Sequence, residues 1–355
     1  MTARLWFLAI LRASLLTIAT VLVVFSIAGL ALGASTAHNQ YPVPFWQYPG
    51  PWVDWHTYVN AFDRMAGGAG IYAPEQLTGP YELTHTVLIG YAYPPASVLL
   101  FAPFLSYPFG LVAWLTLNLG LLLTAMWALI SRAWPTHRAV VFAVALGGLA
   151  FYDPFRDGMI SANVNVGIAG LIGWIAYGLR PEAAGILGSL GAIVKVFSGV
   201  VTLATPVQKR RSIVIAAVAT VAVGVITLPI VGAQSWVDFV RALSSAQPDC
   251  SGFNISIACE LAPSIGSGAG SLVGIAVGAL AALALLAVRE PFWMACLAAV
   301  AVMAPANNLH LSYWTIAYVL VVAAFAEVEQ LRRSRLAVAP NRRDSDVALL
   351  ANRSM

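Results

Sequence analysis

Charge is what this chain has least of. Ten per cent of its 355 residues are charged and sixty per cent are hydrophobic, where a soluble domain carries about 25% charged residues. With a mean hydropathy of +0.80, a soluble globular class is excluded and a polytopic membrane protein is expected. Cysteine is scarce as well. Three residues are too few for a disulfide scaffold and lack metal-ligand spacing. Cys296 lies in an apolar run and reads as a small buried hydrophobe. Cys250 and Cys259 flank a polar loop, where a bridge forms if the loop faces an oxidising compartment. No GxxxxGK[ST] loop and no GxGxxG between strand and helix is found, so a soluble nucleotide is not expected as a direct substrate. Asp54 and Asp63 stand nine apart, which is no acidic pair of the DxD type, and neither a metal nor another cofactor is expected. The net charge of +4 does not indicate nucleic acid, because the basic residues gather at segment ends and in the C-terminal tail.

What is present is a series of apolar runs. About 20 apolar residues cross the ~30 Å hydrocarbon layer, which leaves room for roughly ten spans. Residues 5–34 form the first; their apolar run exceeds a signal-peptide core, so a retained helix with a cytoplasmic N-terminus is expected. A second runs from Ala96 to Tyr107, and others lie near 109–131, 138–152, 163–179, 183–207, 212–232, 269–288, 291–304 and 312–327. Residues 183–207 also fit a short hairpin with Lys195 at its tip. Threading ten spans puts thirteen basic residues inside, Arg156, Lys209, Arg210, Arg211 and Arg289 among them, and five outside: Arg64, Arg132, Arg138, Arg180 and Arg241. That bias agrees with the positive-inside rule. Residues 1–330 then form one membrane domain, and 331–355 a disordered basic cytoplasmic tail.

The threading brings three polar segments to one outer face: the stretch around Asp54, the 233–268 loop and Pro305 to His310. In the first, Trp55, Tyr58, Val59 and Phe62 fall on one face of a helix, which is expected to lie flat on the membrane, aromatic side down. Asp54 at its start stands near Trp46, Trp52 and Trp55, with His56 two positions on. The bland reading is a solvated surface carboxylate. Burial among rings instead raises its pKa and makes it a proton acceptor for a sugar hydroxyl. His310 ends an apolar run beside Asn307 and Asn308 and reads either as a boundary residue or as a phosphate donor. Lys195 sits inside an apolar segment, where a charge costs ~2.5–3.5 kcal/mol and is functional by default unless it snorkels to the interface. Asn163 and Asn165 offer amides to sugar hydroxyls, or act as interhelical glue. Arg156 and Asp157 read as a loop pair.

In their order along the chain, Asp54 with Tyr58, Gly67 to Tyr72, Tyr93-Pro94-Pro95, Asn163 and Asn165, Gly188 to Lys195, and His310 with Ser312 to Trp314 resemble glycosyltransferase family 87. This family of the GT-C superfamily has a mycobacterial member that adds an α-1,2-mannose to phosphatidylinositol mannosides. The resemblance implies an all-α bundle of about ten transmembrane helices with membrane-surface helices in the first outer loop. It implies a polyprenyl-phosphate sugar donor, most often of mannose, attacked with inversion by a hydroxyl of a glycolipid or cell-envelope glycan at the outer face of a bacterial plasma membrane. Asp54 and His310 would be the catalytic pair, with Lys195, Tyr58, Tyr93, His56, Asn163 and Asn165 around the substrates. The chain departs from the family at Ser161-Ala162-Asn163-Val164-Asn165, where Gly-Gln-x-Asn is frequent. A transporter or flippase would carry polar groups through the midplane and an internal repeat; one intramembrane lysine and no repeat are found. A non-catalytic envelope-assembly partner would tolerate loss of both Asp54 and His310.

Overall fold

The computed structural model describes residues 52–82, 90–106, 108–248, 250, 256–307, 309 and 311–338. The expected first span and His310 lie outside them. Four helices are long and apolar enough to cross a bilayer: Phe109–Ala133, Lys209–Val231, Ser267–Ala284 and Ser312–Ser334. Arg138–Ala150 and Asp153–Ser161, bent 70° from each other, meet the same test only when taken together. Asn165–Tyr177, Pro181–Val194 and Pro291–Met303 are apolar but shorter.

Two of the expected spans are not crossings. Between Pro94 and Pro108 the chain forms only the helix Ser97–Phe101 and a 3-10 turn, Ala102–Phe104. Prolines remove backbone donors and interrupt the run, which hydropathy alone does not register. Residues 181–203 form the hairpin: helix Pro181–Val194 turns at Lys195 into the 3-10 helix Val196–Leu203. Its arms interlock through glycine, since a Cβ at Gly191 would stand 2.9 Å from the Ser198 carbonyl oxygen and one at Gly188 would meet Thr202. The last helix, Thr315–Val338, runs past the boundary expected for the tail.

The helix Asn165–Tyr177 is the centre of the bundle and is buried almost all round. Glycines at every third position let its neighbours close in, as small residues do between membrane helices. A Cβ at Gly170 would lie 2.6 Å from the Leu121 backbone of Phe109–Ala133. At one end of the pillar, Arg132 donates to the Tyr177 carbonyl at 2.6 Å, Thr205 to that of Leu179 at 2.9 Å, and Lys209 reaches Val288 at 2.8 Å. At the other, Trp114 donates to the Ala162 carbonyl at 2.8 Å and Trp52 to that of Ile160 at 2.6 Å.

This arrangement reassigns four arginines. Arg132, Arg138 and Arg180, expected outside, share an end with Lys209, Arg210, Arg211 and Arg289, and Arg156 moves to the opposite one. The final helix adds Arg332 and Arg333, about 27 Å beyond Trp314 at 1.5 Å per residue. The basic bias is therefore steeper among the described residues than the threading suggested.

The helix Val53–Ala66, α1, opens the other end. The aromatic face expected to lie on the membrane instead buries Trp55 and Tyr58 against protein. Trp55 donates to the Phe104 carbonyl at 2.9 Å, and Tyr58 stacks on Phe101 at 4.0 Å with Trp114 edge-on at 5.7 Å. The displaced apolar run 97–104 supplies this protein floor. Helix Ala233–Ser245, α2, has the surface-helix pattern instead: Phe239 packs towards Tyr72 while Val237, Val240 and Leu243 stay exposed. A two-residue parallel pair, Tyr81–Glu82 with Ala246–Gln247, joins these segments, and a disulfide links Cys250 and Cys259 beside them.

Candidate active site

The three shorter helices all stop at this end. Thirteen or fourteen residues rise about 20 Å, short of the ~30 Å hydrocarbon layer. Where they stop, polar side chains converge from four separate parts of the chain.

Asp54 lies in the first turn of α1, and its Oδ2 accepts the Asn163 side-chain amide at 2.8 Å. Asn163 is fixed in turn by the backbone N–H of Asn165, which donates to its Oδ1 at 2.8 Å. Asn165, fully buried, donates from Nδ2 to the Ser312 hydroxyl at 3.0 Å and accepts the Lys195 ammonium on Oδ1 at 3.0 Å. The Lys195 nitrogen also lies 4.1 Å from the centroid of the Tyr313 ring, whose face attracts a cation. The backbone N–H of Ser312 donates to Asp157 Oδ2 at 3.0 Å. A carboxylate, two amides, an ammonium, a hydroxyl and a second carboxylate thus form one continuous set.

Backbone strain holds part of it. Trp52 and Ala162, neither a glycine, have φ of 66° and 57°, a conformation that costs of order 1–2 kcal/mol per residue. Both are tied down, Trp52 through its N–H to Ile160 and Ala162 through its carbonyl to Trp114. The first turns the chain into Asp54 and the second turns it into Asn163.

Burial pushes the Asp54 carboxyl up to about 6, against the pull of Asn163, Lys195 and Ser161 and with a further push from Asp157. A proton acceptor titrating near the working pH is well matched to general-base chemistry. The Tyr58 and Tyr93 hydroxyls lie 3.2 Å apart and bond to each other. Burial, with the charge of Asp54 adding to it, raises both phenols well above their ordinary range. They remain neutral and form a buried floor near the carboxylate.

Of the residues expected at the site, the fold gathers Asp54, Asn163, Asn165 and Lys195 directly and sets Tyr58 and Tyr93 beneath. His56 takes another direction: two positions along a helix is about 200° round its axis, and its ring meets Trp55 edge-on at 5.0 Å. Burial lowers its imidazole to about 4, so it is neutral at physiological pH. Sequence reasoning left Asp157 as a loop residue and gave Ser312 and Tyr313 no individual task. An acidic side chain in the segment that leads straight to Asn163 was the available signal.

The sequence model of glycosyltransferase family 87 matches residues 91–322, well over half of the chain. The chain belongs to glycosyltransferase family 87. It is a membrane glycosyltransferase, and Asn163, Asn165, Lys195, Ser312 and Tyr313 fall within the matched stretch. Asp54 precedes that stretch and joins it through Asn163. No match was found among curated proteins or among solved structures.

Proposed function

We propose that this family 87 glycosyltransferase moves a sugar, mannose by preference, from a polyprenyl-phosphate donor to a hydroxyl of a glycolipid or envelope glycan. The observation that supports it best is the run of hydrogen bonds from the Asp54 carboxylate through the Asn163 amide, the Asn165 backbone N–H and the Asn165 side chain to the Lys195 ammonium. One end accepts protons and the other attracts anions. Asp54 takes the proton of the acceptor hydroxyl as its oxygen attacks the anomeric carbon from the face opposite the donor phosphate. The bond from that carbon to the phosphate oxygen breaks, and polyprenyl phosphate leaves with the electron pair. Its added negative charge is met by Lys195. A cation already in place in a water-poor cleft stabilises such a charge far more than one in open water does.

Asn163 and Asn165 hold the two ends in register, Tyr58 and Tyr93 close the floor, and His310 joins the leaving-group side on sequence grounds, two residues before Ser312. Helices too short to cross the hydrocarbon layer suit a donor that arrives through the bilayer, because its phosphate need not climb out to bulk water. The chain acts as one membrane domain that continues through the helix Thr315–Val338, with a cytoplasmic tail after it. The site end faces away from the cytoplasm of a bacterial plasma membrane. Basic residues crowd the opposite end, and a disulfide near the site suits an oxidising compartment.

The test is purified protein in vesicles supplied with polyprenyl-phosphate-mannose and candidate glycolipids, with mass detection of an added hexose. Wild type is expected to transfer, and Asp54→Asn to fall by about 10²–10⁴-fold, the usual contribution of a general base. Equal rates for Asp54→Asn and wild type would remove Asp54 from the chemistry.

A further inference from the structure

We propose that Asp157 is a positioning residue of the transfer site: it clamps the Leu311–Trp314 turn to the Asp54 side and so holds Ser312 against Asn165 and Tyr313 against Lys195. This rests on Asp54 being the base.

The clamp is a matter of geometry. Leu311–Trp314 is a short 3-10 turn whose first backbone donors have no partner within the turn. Asp157 Oδ2 accepts the Ser312 N–H at 3.0 Å. That turn presents the Ser312 hydroxyl to Asn165 and the Tyr313 ring to the Lys195 ammonium. Releasing it loosens two of the contacts that orient the anion-binding end. Asp157 belongs to helix Asp153–Ser161, whose far end carries Ile160 against Trp52 and leads through Ala162 to Asn163. One short helix therefore touches the Asp54 side through its end and the Lys195 side through Asp157. The packing leaves no slack, since a Cβ at Gly158 would stand 2.7 Å from Val166 and 3.4 Å from Ser312.

The charge of Asp157 acts independently of the clamp. The charged and titratable groups that act on Asp54 are Lys195, which favours its ionised form, Asp157, which disfavours it, and the neutral phenols of Tyr58 and Tyr93. Arg156, next to Asp157, is turned to an exposed pair with Asp153 at 3.2 Å and does not cancel the Asp157 charge. A like charge in the same cluster keeps a carboxylate more basic. Asp157 thus offsets part of what Lys195 takes away.

The experiment compares wild type, Asp157→Asn and Asp157→Ala in the vesicle assay from pH 5 to pH 8.5, recording the donor KM, kcat and thermal stability of each. Asp157→Asn keeps an oxygen for the Ser312 N–H and removes only the charge. It is expected to move the acid limb of the rate profile to lower pH, with an unchanged donor KM. Asp157→Ala removes the clamp too and is expected to raise the donor KM about tenfold besides that shift, the scale of one lost charge-assisted hydrogen bond. A wild-type acid limb and KM in both variants, or a loss confined to thermal stability, overturns the proposal. Asp54→Asn is run alongside. If it transfers normally, it is the assignment of the base that fails, whereas an inactive Asp54→Asn beside wild-type profiles for both Asp157 variants refutes Asp157 alone.

Discussion

The chain contains two lysines, and they have opposite surroundings. Lys209 at the basic end donates to the carbonyls of Leu203 at 3.2 Å, of Val288 at 2.8 Å and of Leu285. An ammonium has three protons, and here all three meet backbone at the ends of neighbouring helices. Lys195 at the other end makes one hydrogen bond among the described residues, to Asn165, and rests against Tyr313. Its remaining protons are available to an incoming group. A filled ammonium is a fastener; a partly filled one has donors to spare, as the anion-binding role proposed for Lys195 requires. What separates them is the number of carbonyls in reach, which no inspection of hydropathy reveals.

Replacing each lysine tests that contrast. Lys195→Met is expected to cut transfer by about 10²-fold, the scale for removing one donor aimed at developing charge, with thermal stability close to wild type. Lys209→Met is expected to cost roughly 2–3 kcal/mol of stability, as three carbonyls lose their donor, while the folded fraction keeps its kcat/KM. Thermal unfolding and initial rates on both variants settle it; a stable, inactive Lys209→Met would erase the distinction.

A finer test uses the raised carboxyl of Asp54. Its pKa rises from 3.8 to about 6 on folding, so between those values the folded protein holds more protons than the unfolded one and stability declines as pH rises. The penalty is absent below 3.8 and fully present above 6. Asp54→Asn escapes it, and should melt higher than wild type by a margin that grows across that window and then levels off. A margin independent of pH would mean that Asp54 is not strained in the fold. The smallest effect is expected at His56. His56→Ala should leave the shape of the rate profile between pH 5 and 8 unchanged, because an imidazole lowered to about 4 does not titrate there; an altered limb in that range would bring it back to the chemistry.

Much of the candidate site was legible because its members are chemically out of place. Asp54, Asn163, Asn165 and Lys195 are polar groups within or beside apolar runs, and such groups are retained where something uses them. The direction of the chain was harder to read. An apolar hairpin and an apolar crossing have the same hydropathy, so Lys195 fits either until Gly188 and Gly191 are seen to interlock with the returning arm. The proline-bounded run 97–104 hides in the same way. Counting both as crossings puts Arg132, Arg138, Arg156 and Arg180 at the wrong ends. The amphipathic pattern of Val53–Ala66 marks a one-sided helix, as the structure has it, but periodicity does not tell whether the apolar side meets lipid or protein. Asp157 and Ser312 escaped because they meet across 155 positions of sequence.

The central glycine-lined helix has a mechanical corollary. Enclosed by protein along nearly its whole length, it acts as an anvil against which any substrate must seat. Whatever gives way must belong to the periphery, and Lys195 rides on the tip of a hairpin whose flanks are exposed at Ile186 and Leu190. Of the two ends of the candidate site, the ammonium is thus carried by an outlying element, while the carboxylate is tied through Asn163 to the start of the enclosed helix.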